Sequence, residues 1–517
     1  APEHGVVSTT LGKAALVVSG GILASRALGF LREVILAAIL GAGAQTDIYR
    51  AAFTLPDYLF FLMAGGYLTI TFVPILSRHL AEGDSGQINA SFTAVVRVVA
   101  ILMVVLTALA AVFARPITRA LFSDIGAQHI PELVTLVRIV LPAQVFFVLG
   151  SLMMAVQYAH QRFLIPTLAP IVYNLAIITG GLIGAVGGQA GPAGFIWGAL
   201  TGAFLGNFAL QWWGAHRLGA RLIPAVPFRH PSVTEYFLLA FPLMIGQSAV
   251  ALDEVFYKVF GQLGGEGAIA SLGYARQINM VPVGVIAQAA GVASYPFLAR
   301  LFAEGKISEM AATVRRAVRS SVAVAGLGAA AVIGLALPIV QIAFQRGRFD
   351  PQNTITVASL LAIYGLSIPM WAAHQVYTRA FYASRRMWLP VVIGTGATVL
   401  AVPLYWVSAT RLGASGVAIA SVTIMALYTA AISLWWHHTT ETMLAVTDTV
   451  VRVVAAAVPA TAAGWLLVRI LMGSAPAGTG VALATLLGGA VMTGAVYLAV
   501  LWLLKAPELD LLRRRAA

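Results

Sequence analysis

From Leu11 to Leu504 the chain alternates long apolar runs with short breaks of charged residues, glycine and proline. A helix that crosses a bilayer needs about 20 such residues. A membrane β-barrel would instead alternate apolar and polar positions in segments of about 10, a pattern the runs do not have. Cutting at the breaks predicts fourteen helices, over 11–40, 47–73, 88–114, 131–158, 163–186, 193–214, 233–261, 267–296, 313–337, 353–382, 388–408, 413–436, 447–471 and 479–504. The expected fold class is an all-α polytopic membrane protein.

Composition narrows the class further. Sixty per cent of the 517 residues are hydrophobic and 10% charged, whereas soluble domains run near 45–50% and about 25%. A net charge of +13 would suggest nucleic acid in a soluble protein. Here much of the surplus lies between the runs, which removes nucleic acid as a partner and leaves membrane lipids. The loops after even-numbered spans hold Arg78, Arg162, Arg217, Arg221, Arg229, Arg300, Lys306, Arg315, Arg316, Arg385 and Arg386, and the chain ends Arg513-Arg514-Arg515. Gly187 to Ala193 and Gly473 to Gly480 carry no charge. The excess of Lys and Arg on the cytoplasmic side predicts both termini inside, in a bacterial inner membrane, with an even number of spans.

Several chemistries find no support. The chain has no cysteine, hence no disulfide, thiol nucleophile or cysteine-held cluster. Ala1 to Thr10 shows no signal-peptide pattern. His437-His438 reads as a solvated pair near a loop rather than a metal site, and the glycine-rich stretches suit close helix packing rather than a phosphate loop. The Tyr, Trp and Phe stripes read as lipid-facing or interfacial. No catalytic set, metal or cofactor is expected, and the chain does not read as an enzyme.

An internal repeat organises the chain. Pro74 to Gly83 and Pro296 to Gly305 both read P-x-L-x-R-x-x-A-E-G, 222 residues apart. Tyr158-Ala159 with Pro166 recurs as Tyr382-Ala383 with Pro390, 224 apart, and Gly194 recurs as Gly416. Six spans separate the copies, so both have the same orientation. The expected division is an N-terminal lobe over 1–218, a C-terminal lobe over 219–440, and two extra helices with a basic tail over 441–517. Transporters built from repeats bind substrate between them and alternate access.

Charges inside the spans are the candidate chemistry, because a charge at mid-membrane costs roughly 2.5–3.5 kcal/mol on insertion scales and is placed against protein or water. The first span contains Arg26, Arg32 and Glu33; Arg26 and Glu33 share a face, and a bend near Gly29 would help bring both arginines to one cavity. The second opens with Asp47 and Arg50, the seventh holds Asp253, Glu254 and Lys258, and the eighth holds Arg276. Asp47–Arg50 and Glu254–Lys258 could simply pair and fix packing. Arg26, Arg32 and Arg276 together suggest a net-positive cavity for an anionic ligand, since guanidinium grips phosphate through a bidentate fork. Glu33, Asp253, Glu254 and Lys258 are candidate ion or gating residues.

At these residues the chain resembles the MviN/MurJ family of lipid II flippases, within the multidrug/oligosaccharidyl-lipid/polysaccharide exporter superfamily. The run from Ser25 to Asp47 matches the family's opening pattern, S-R-x-L-G-F-x-R followed by an acidic residue and G-A-G-x-x-T-D. Pro74 to Arg78, Ala169-Pro170 with Asn174, Gly347 to Asp350 and Arg379 to Ala383 match later elements in order. The resemblance implies two V-shaped lobes, a central cationic cavity, and transfer of undecaprenyl-pyrophosphate-linked disaccharide-pentapeptide to the outer leaflet. It also implies functional roles for Arg26, Arg32 and Asp47, a lipid-tail groove on the last two helices, and contact with the cell-wall synthesis machinery.

The chain departs from the family at two places. Two arginines and a glutamate of the second span are replaced by Phe60, Phe61 and Gly65, and in the eighth the arginine, Arg276, stands one position early. Arg50 and Arg276 are therefore candidate substitutes for the missing cations. No acidic and amide sodium ligands stand between Pro390 and Trp406. The alternatives are a flippase for another polyprenyl-pyrophosphate glycolipid, a multidrug antiporter, which would want an acidic cavity, and a membrane glycosyltransferase, which would want an acidic pair in an outer loop.

Overall fold

A computed structural model describes residues 3–63, 67–188, 190–440 and 443–508, and every regular element among them is helical. Gly65 and the Arg513 to Arg515 tail lie outside the described residues. Helix α1 (Glu3–Leu40) runs without interruption through Gly29 and stops at Gly41, whose φ is 72°. A left-handed glycine just past the last turn is a common helix stop.

The second expected span is not one helix but three, α2 (Ala44–Ala52), α3 (Thr54–Leu62) and α4 (Tyr67–Ala81). Pro56 explains the first break: it lacks an N–H and its ring would clash with the carbonyl four residues back, so it is tolerated only in the opening turn of α3. Then come α5 (Ser85–Val112), capped by the Asp84 carboxylate accepting from the Gln87 N–H, and α6 (Ala114–Leu121). The fourth expected span is present as one stretch, Ile130–Ala159, with a turn at Leu141-Pro142 between α7 (Ile130–Val140) and α8 (Ala143–Ala159). Next are α9 (Leu164–Val186), α10 (Pro192–Gly202), a π-helical stretch at Ala203–Ala209, α11 (Leu210–Arg217) and α12 (Pro231–Gly261).

The second half repeats this plan. It comprises α13 (Ala268–Pro282), a second π stretch at Val283–Ala287, α14 (Gln288–Ala303), α15 (Ile307–Gly334) and α16 (Ala336–Phe344). Then α17 (Pro351–Gly365) and α18 (Ile368–Ala383) meet at a 41° bend. Helix α19 (Trp388–Thr440) spans 53 residues but is broken at Gly413, whose φ of 57° and ψ of −137° no helix allows. The last two are α20 (Met443–Met472) and α21 (Thr479–Leu503). Among the described residues, eight helical stretches are long and apolar enough to cross a bilayer, with α7 and α8 counted as one and α10 to α11 as another, or nine if the bent pair is one span.

The repeat is visible in the backbone as well as in the letters. Helices α5 and α15 are both 28 residues long and begin 222 positions apart. Left-handed residues recur in register: Gly41 with Gly265, Gly83 with Gly305, and Gln161 with Arg385, at φ 57° and 59°. The last pair is informative, because a left-handed non-glycine residue is uncommon and here recurs at matched turns.

The chain forms two compact units, Ala1–Val259 and Phe260–Ala517. The first unit includes most of α12, although the repeat begins its second copy there. Arg78 of α4 donates to both oxygens of Glu235 at 2.9 and 2.7 Å, Ser91 of α5 and Ser232 share a hydrogen bond, and Phe72 meets Tyr236 edge-on. Phe72, Phe92, Leu152 and Tyr236 anchor the first core; Leu298, Val376, Phe381 and Trp436 anchor one in the second. The aromatic residues therefore need correcting. Trp197, Trp406, Trp465 and Trp502 are exposed as expected, but Tyr236, Tyr274, Tyr364, Tyr377, Tyr405 and Tyr497 are fully buried. A buried tyrosine is tolerated where its hydroxyl finds a partner, as Tyr497 does by donating to the Ala323 carbonyl.

Candidate functional site

The first unit brings charged side chains from three helices together. A Cβ on Gly21 would collide with the Thr167 side chain, so glycine there lets α1 and α9 approach. Nearly three turns into α9, Asn174 donates its amide N–H to the Pro170 carbonyl at 2.8 Å, which turns its Oδ1 toward α1. Arg32 donates Nη1 to that oxygen at 3.1 Å and Nη2 to Glu33 Oε1 at 2.9 Å. Arg50, from α2, donates Nη2 to Glu33 Oε2 at 2.7 Å. Glu33 is 3% exposed and is the hub.

This arrangement refines how the charges balance. Arg32 and Arg50 share one carboxylate, so the three side chains sum to +1. Arg32 Nε is buried without a hydrogen-bond partner among the described residues. Asp47 is buried on α2, whose first turn is tied down where Thr46 Oγ1 donates to the Gly41 carbonyl. Arg26 is exposed on α1 and, among the described residues, makes no hydrogen bond or ion pair. It lies about 9 Å along the axis from Arg32. Asn174 was noted from sequence only as part of a pattern; the usable signal was an asparagine four residues after a helical proline, where its amide can reach that proline's carbonyl.

A second group joins α3 to α12. Lys258 is 4% exposed, with Nζ 3.3 Å from Asp57 Oδ2 and 3.6 Å from Glu254 Oε1. The Glu254–Lys258 spacing anticipated half of this; Asp57 was seen only within the altered second-span run. Asp253 is partly buried on the neighbouring position. Phe60, which stands where an arginine was expected, packs edge-on against Phe61 and Phe147 in the apolar core. That place has become a ring cluster, while Arg50 is committed to Glu33.

The second unit holds Arg276, partly buried on α13. One turn later Asn279 donates Nδ2 to Ser367 Oγ at 3.2 Å. Tyr377 and His437 Nε2 share a hydrogen bond at 2.8 Å, and His437 is 4% exposed. The expectation of a solvated His437-His438 pair thus fails for His437, because the helix continues to Thr440 and turns that ring into the core; His438 is exposed. No group of three or more His, Asp or Glu among the described residues could hold a metal ion. Outside the spans, hydrogen bonds from Arg300 and Lys306 pull the Glu304 carboxyl down to about 2.

A family model described as lipid II flippase MurJ matches residues 36–488. A Rhizobium meliloti protein described as "Probable lipid II flippase MurJ" is 29% identical over 96% of this chain and 94% of its own length. A Burkholderia cenocepacia "Lipid II flippase MurJ" is 28% identical over 75% of this chain and 76% of its own. Among solved structures, a lipid II flippase MurJ in an inward closed conformation superposes with TM-score 0.77 at 18% identity, covering 94% of this chain and 98% of that one. An inward-facing multidrug MATE transporter superposes with TM-score 0.66 at 15% identity over 80% of this chain and 94% of that one. At these identities the structural matches establish the fold alone.

Proposed function

The chain belongs to the lipid II flippase MurJ family, and from that premise we propose that it carries lipid II from the cytoplasmic to the outer leaflet of the inner membrane by alternating access. The observation that carries the reading is the Arg32–Glu33–Arg50 cluster braced by Asn174. Its chemistry suits a diphosphate. Arg32 keeps a buried unspent donor and Arg26 an exposed guanidinium, and a planar fork recognises phosphate oxygens in pairs. Glu33 satisfies the two arginines when no headgroup is bound. An arriving diphosphate then competes for them rather than meeting uncompensated charge.

The same reading takes the chain as fourteen spans, two six-helix lobes and a terminal pair, with both termini cytoplasmic. Arg276 would supply a further cation from the eighth span, and Asp47 would help orient Arg50 or Arg32. The coupling energy has a simple source. An inside-negative potential favours outward movement of an anionic headgroup by about 2.3 kcal/mol per charge per 100 mV. A net-positive empty site is drawn back by the same field, so no ion site is needed.

The ring cluster at Phe60, Phe61 and Phe147 favours one second reading, a related polyprenyl-pyrophosphate glycolipid as cargo, because the family's arginines are absent there. Complementation separates the two. Expression in cells depleted of their own lipid II flippase is expected to restore growth; failure there, with rescue of a glycolipid-export mutant, would assign the second cargo.

A further inference from the structure

A second cluster of arginines lies in the second unit, beyond the end of α21. The chain turns back at Leu504–Ala506, where Lys505 takes a φ of 47°, and the Ala506 N–H donates to the Leu501 carbonyl at 2.9 Å. This reversal delivers Glu508 into protein, 0% exposed. Its Oε1 accepts from Arg319 Nε at 3.1 Å, Arg319 Nη2 at 2.9 Å and Thr449 Oγ1 at 2.6 Å. Its Oε2 is buried with no hydrogen-bond partner among the described residues, and Arg452 Nη1 stands 3.6 Å away, also without one. Arg452 pairs as well with Asp448.

The donor set and the carboxylate are mismatched. The Nε–Nη2 edge of a guanidinium is shaped to take two oxygens of one anion, yet here both donors fall on a single oxygen. One carboxylate oxygen takes three hydrogen bonds, and the other takes none among the described residues and has only the longer Arg452 ion pair. A tetrahedral phosphate offers more oxygens: one or two for the Arg319 edge, one for Thr449 and one for Arg452. The place also suits such a ligand. Arg319 and Arg452 stand in the first half of α15 and α20, on the side where α21 finishes, and the Lys and Arg pattern puts that end in the cytoplasm. Arginines at a membrane surface meet headgroup phosphates.

We propose that Arg319, Arg452 and Thr449 form a binding site for the phosphate of an anionic lipid headgroup, occupied in this structure by Glu508 as an internal plug. The reversed tail is the competitor: withdrawing it removes the carboxylate that Arg319 binds, leaves Arg452 with Asp448, and opens the site to lipid. The site is built from residues of the second unit only and is independent of how the Arg32 cluster is used.

The test uses the full chain in detergent micelles, titrated with headgroup-labelled phosphatidylglycerol, with a diacylglycerol lipid lacking phosphate as control and inorganic phosphate as a soluble competitor. Glu508→Ala is expected to tighten phosphatidylglycerol binding about tenfold, the loss of one charge-assisted competitor. Adding Arg319→Ala and Arg452→Ala should remove that gain, with the control lipid unaffected throughout. Thermal unfolding supplies a readout that survives loosening of the tail: phosphatidylglycerol should raise the Tm of Glu508→Ala more than that of the unaltered chain. Equal binding by Glu508→Ala and the unaltered chain, or a gain that persists without the two arginines, would overturn the proposal. Binding of inorganic phosphate with no gain for the lipid would overturn the headgroup as its source.

Discussion

The two units share a backbone plan, yet the helices that the repeat brings into register satisfy their buried polar groups differently. In the first, the hub is ionic: Glu33 between Arg32 and Arg50, and Lys258 between Asp57 and Glu254. In the second, the matching helices carry neutral pairs, Asn279 on Ser367 and Tyr377 on His437, and buried ions gather instead where α21 ends, Glu508 with Arg319 and Arg452. Counting 224 positions from Gly41 to Gly265, Asp47 corresponds to Ser271 and Arg50 to Tyr274. The repeat has kept the left-handed turns and let the chemistry diverge. Buried ion pairs seldom add net stability over a neutral interior, so stability alone does not account for the hub in the first unit. Its arginines are the ones proposed above to take the anionic headgroup.

The largest expected effect breaks the ionic hub. Glu33→Ala leaves two guanidinium groups facing each other without their shared anion, and removing one partner of a buried pair costs about 3–5 kcal/mol. Asn279→Ala, its neutral counterpart, should cost about 1–3 kcal/mol, the penalty of one buried group left unpaired. Chemical unfolding of both variants in detergent checks the order; equal losses would dissolve the contrast between the units.

Next comes geometry at constant charge. Arg32→Lys keeps the cation but loses the planar fork that reaches both Asn174 and Glu33, and it should slow glycolipid transfer about tenfold or more. Tyr377→Phe in the second unit removes a hydrogen bond and should leave transfer near its starting rate, with only about 1 kcal/mol lost in stability. A vesicle translocation assay at matched protein content reads both.

Much of this contrast was legible in the sequence, and the limits have physical causes. The all-helical, membrane-spanning class could be read from hydropathy because lipid solvates whatever apolar surface the helices present; by length and composition, eight or nine stretches among the described residues qualify as spans, against the fourteen expected. Hydropathy does not show the break at Phe53 or the turn inside Ile130–Ala159, because a proline interrupts hydrogen bonding without adding polarity. Arg32, Glu33 and Arg50 stood out because charge is costly in a span. Their partners did not: whether Arg50 turns to Asp47 on its own helix or to Glu33 on α1 depends on how α1 and α2 pack, which spacing does not encode. Arg78 and Arg300 make the same point. They occupy one position of the P-x-L-x-R repeat, yet Arg78 reaches across to Glu235 while Arg300 bonds its own Glu304. His437 was misplaced because its helix continues past the apolar run.

A smaller effect concerns pH. Burial raises the Glu508 carboxyl, but hydrogen bonds from Thr449 and Arg319 outweigh it and leave the group below its ordinary range. A lowered folded-state value means its contribution is present at neutral pH, above the unfolded carboxyl's range. It is lost as pH falls through the folded value. Acidification should therefore lower the Tm of the unaltered chain more than that of Glu508→Gln. The smallest expected difference separates the repeated arginines. Arg78→Ala should loosen α12 from α4, seen as faster hydrogen exchange around Glu235, whereas Arg300→Ala, losing only a local exposed pair, should leave exchange unchanged.

The most direct test of the ionic unit's role is transfer of labelled lipid II across proteoliposomes under an imposed inside-negative potential, with Arg32→Ala compared against Asn279→Ala. The account predicts that Arg32→Ala loses transfer about tenfold or more while Asn279→Ala stays within about twofold, consistent with charge-assisted bonds to the headgroup. Equal loss in both variants, or full transfer by Arg32→Ala, would contradict the assignment of anion handling to the first unit.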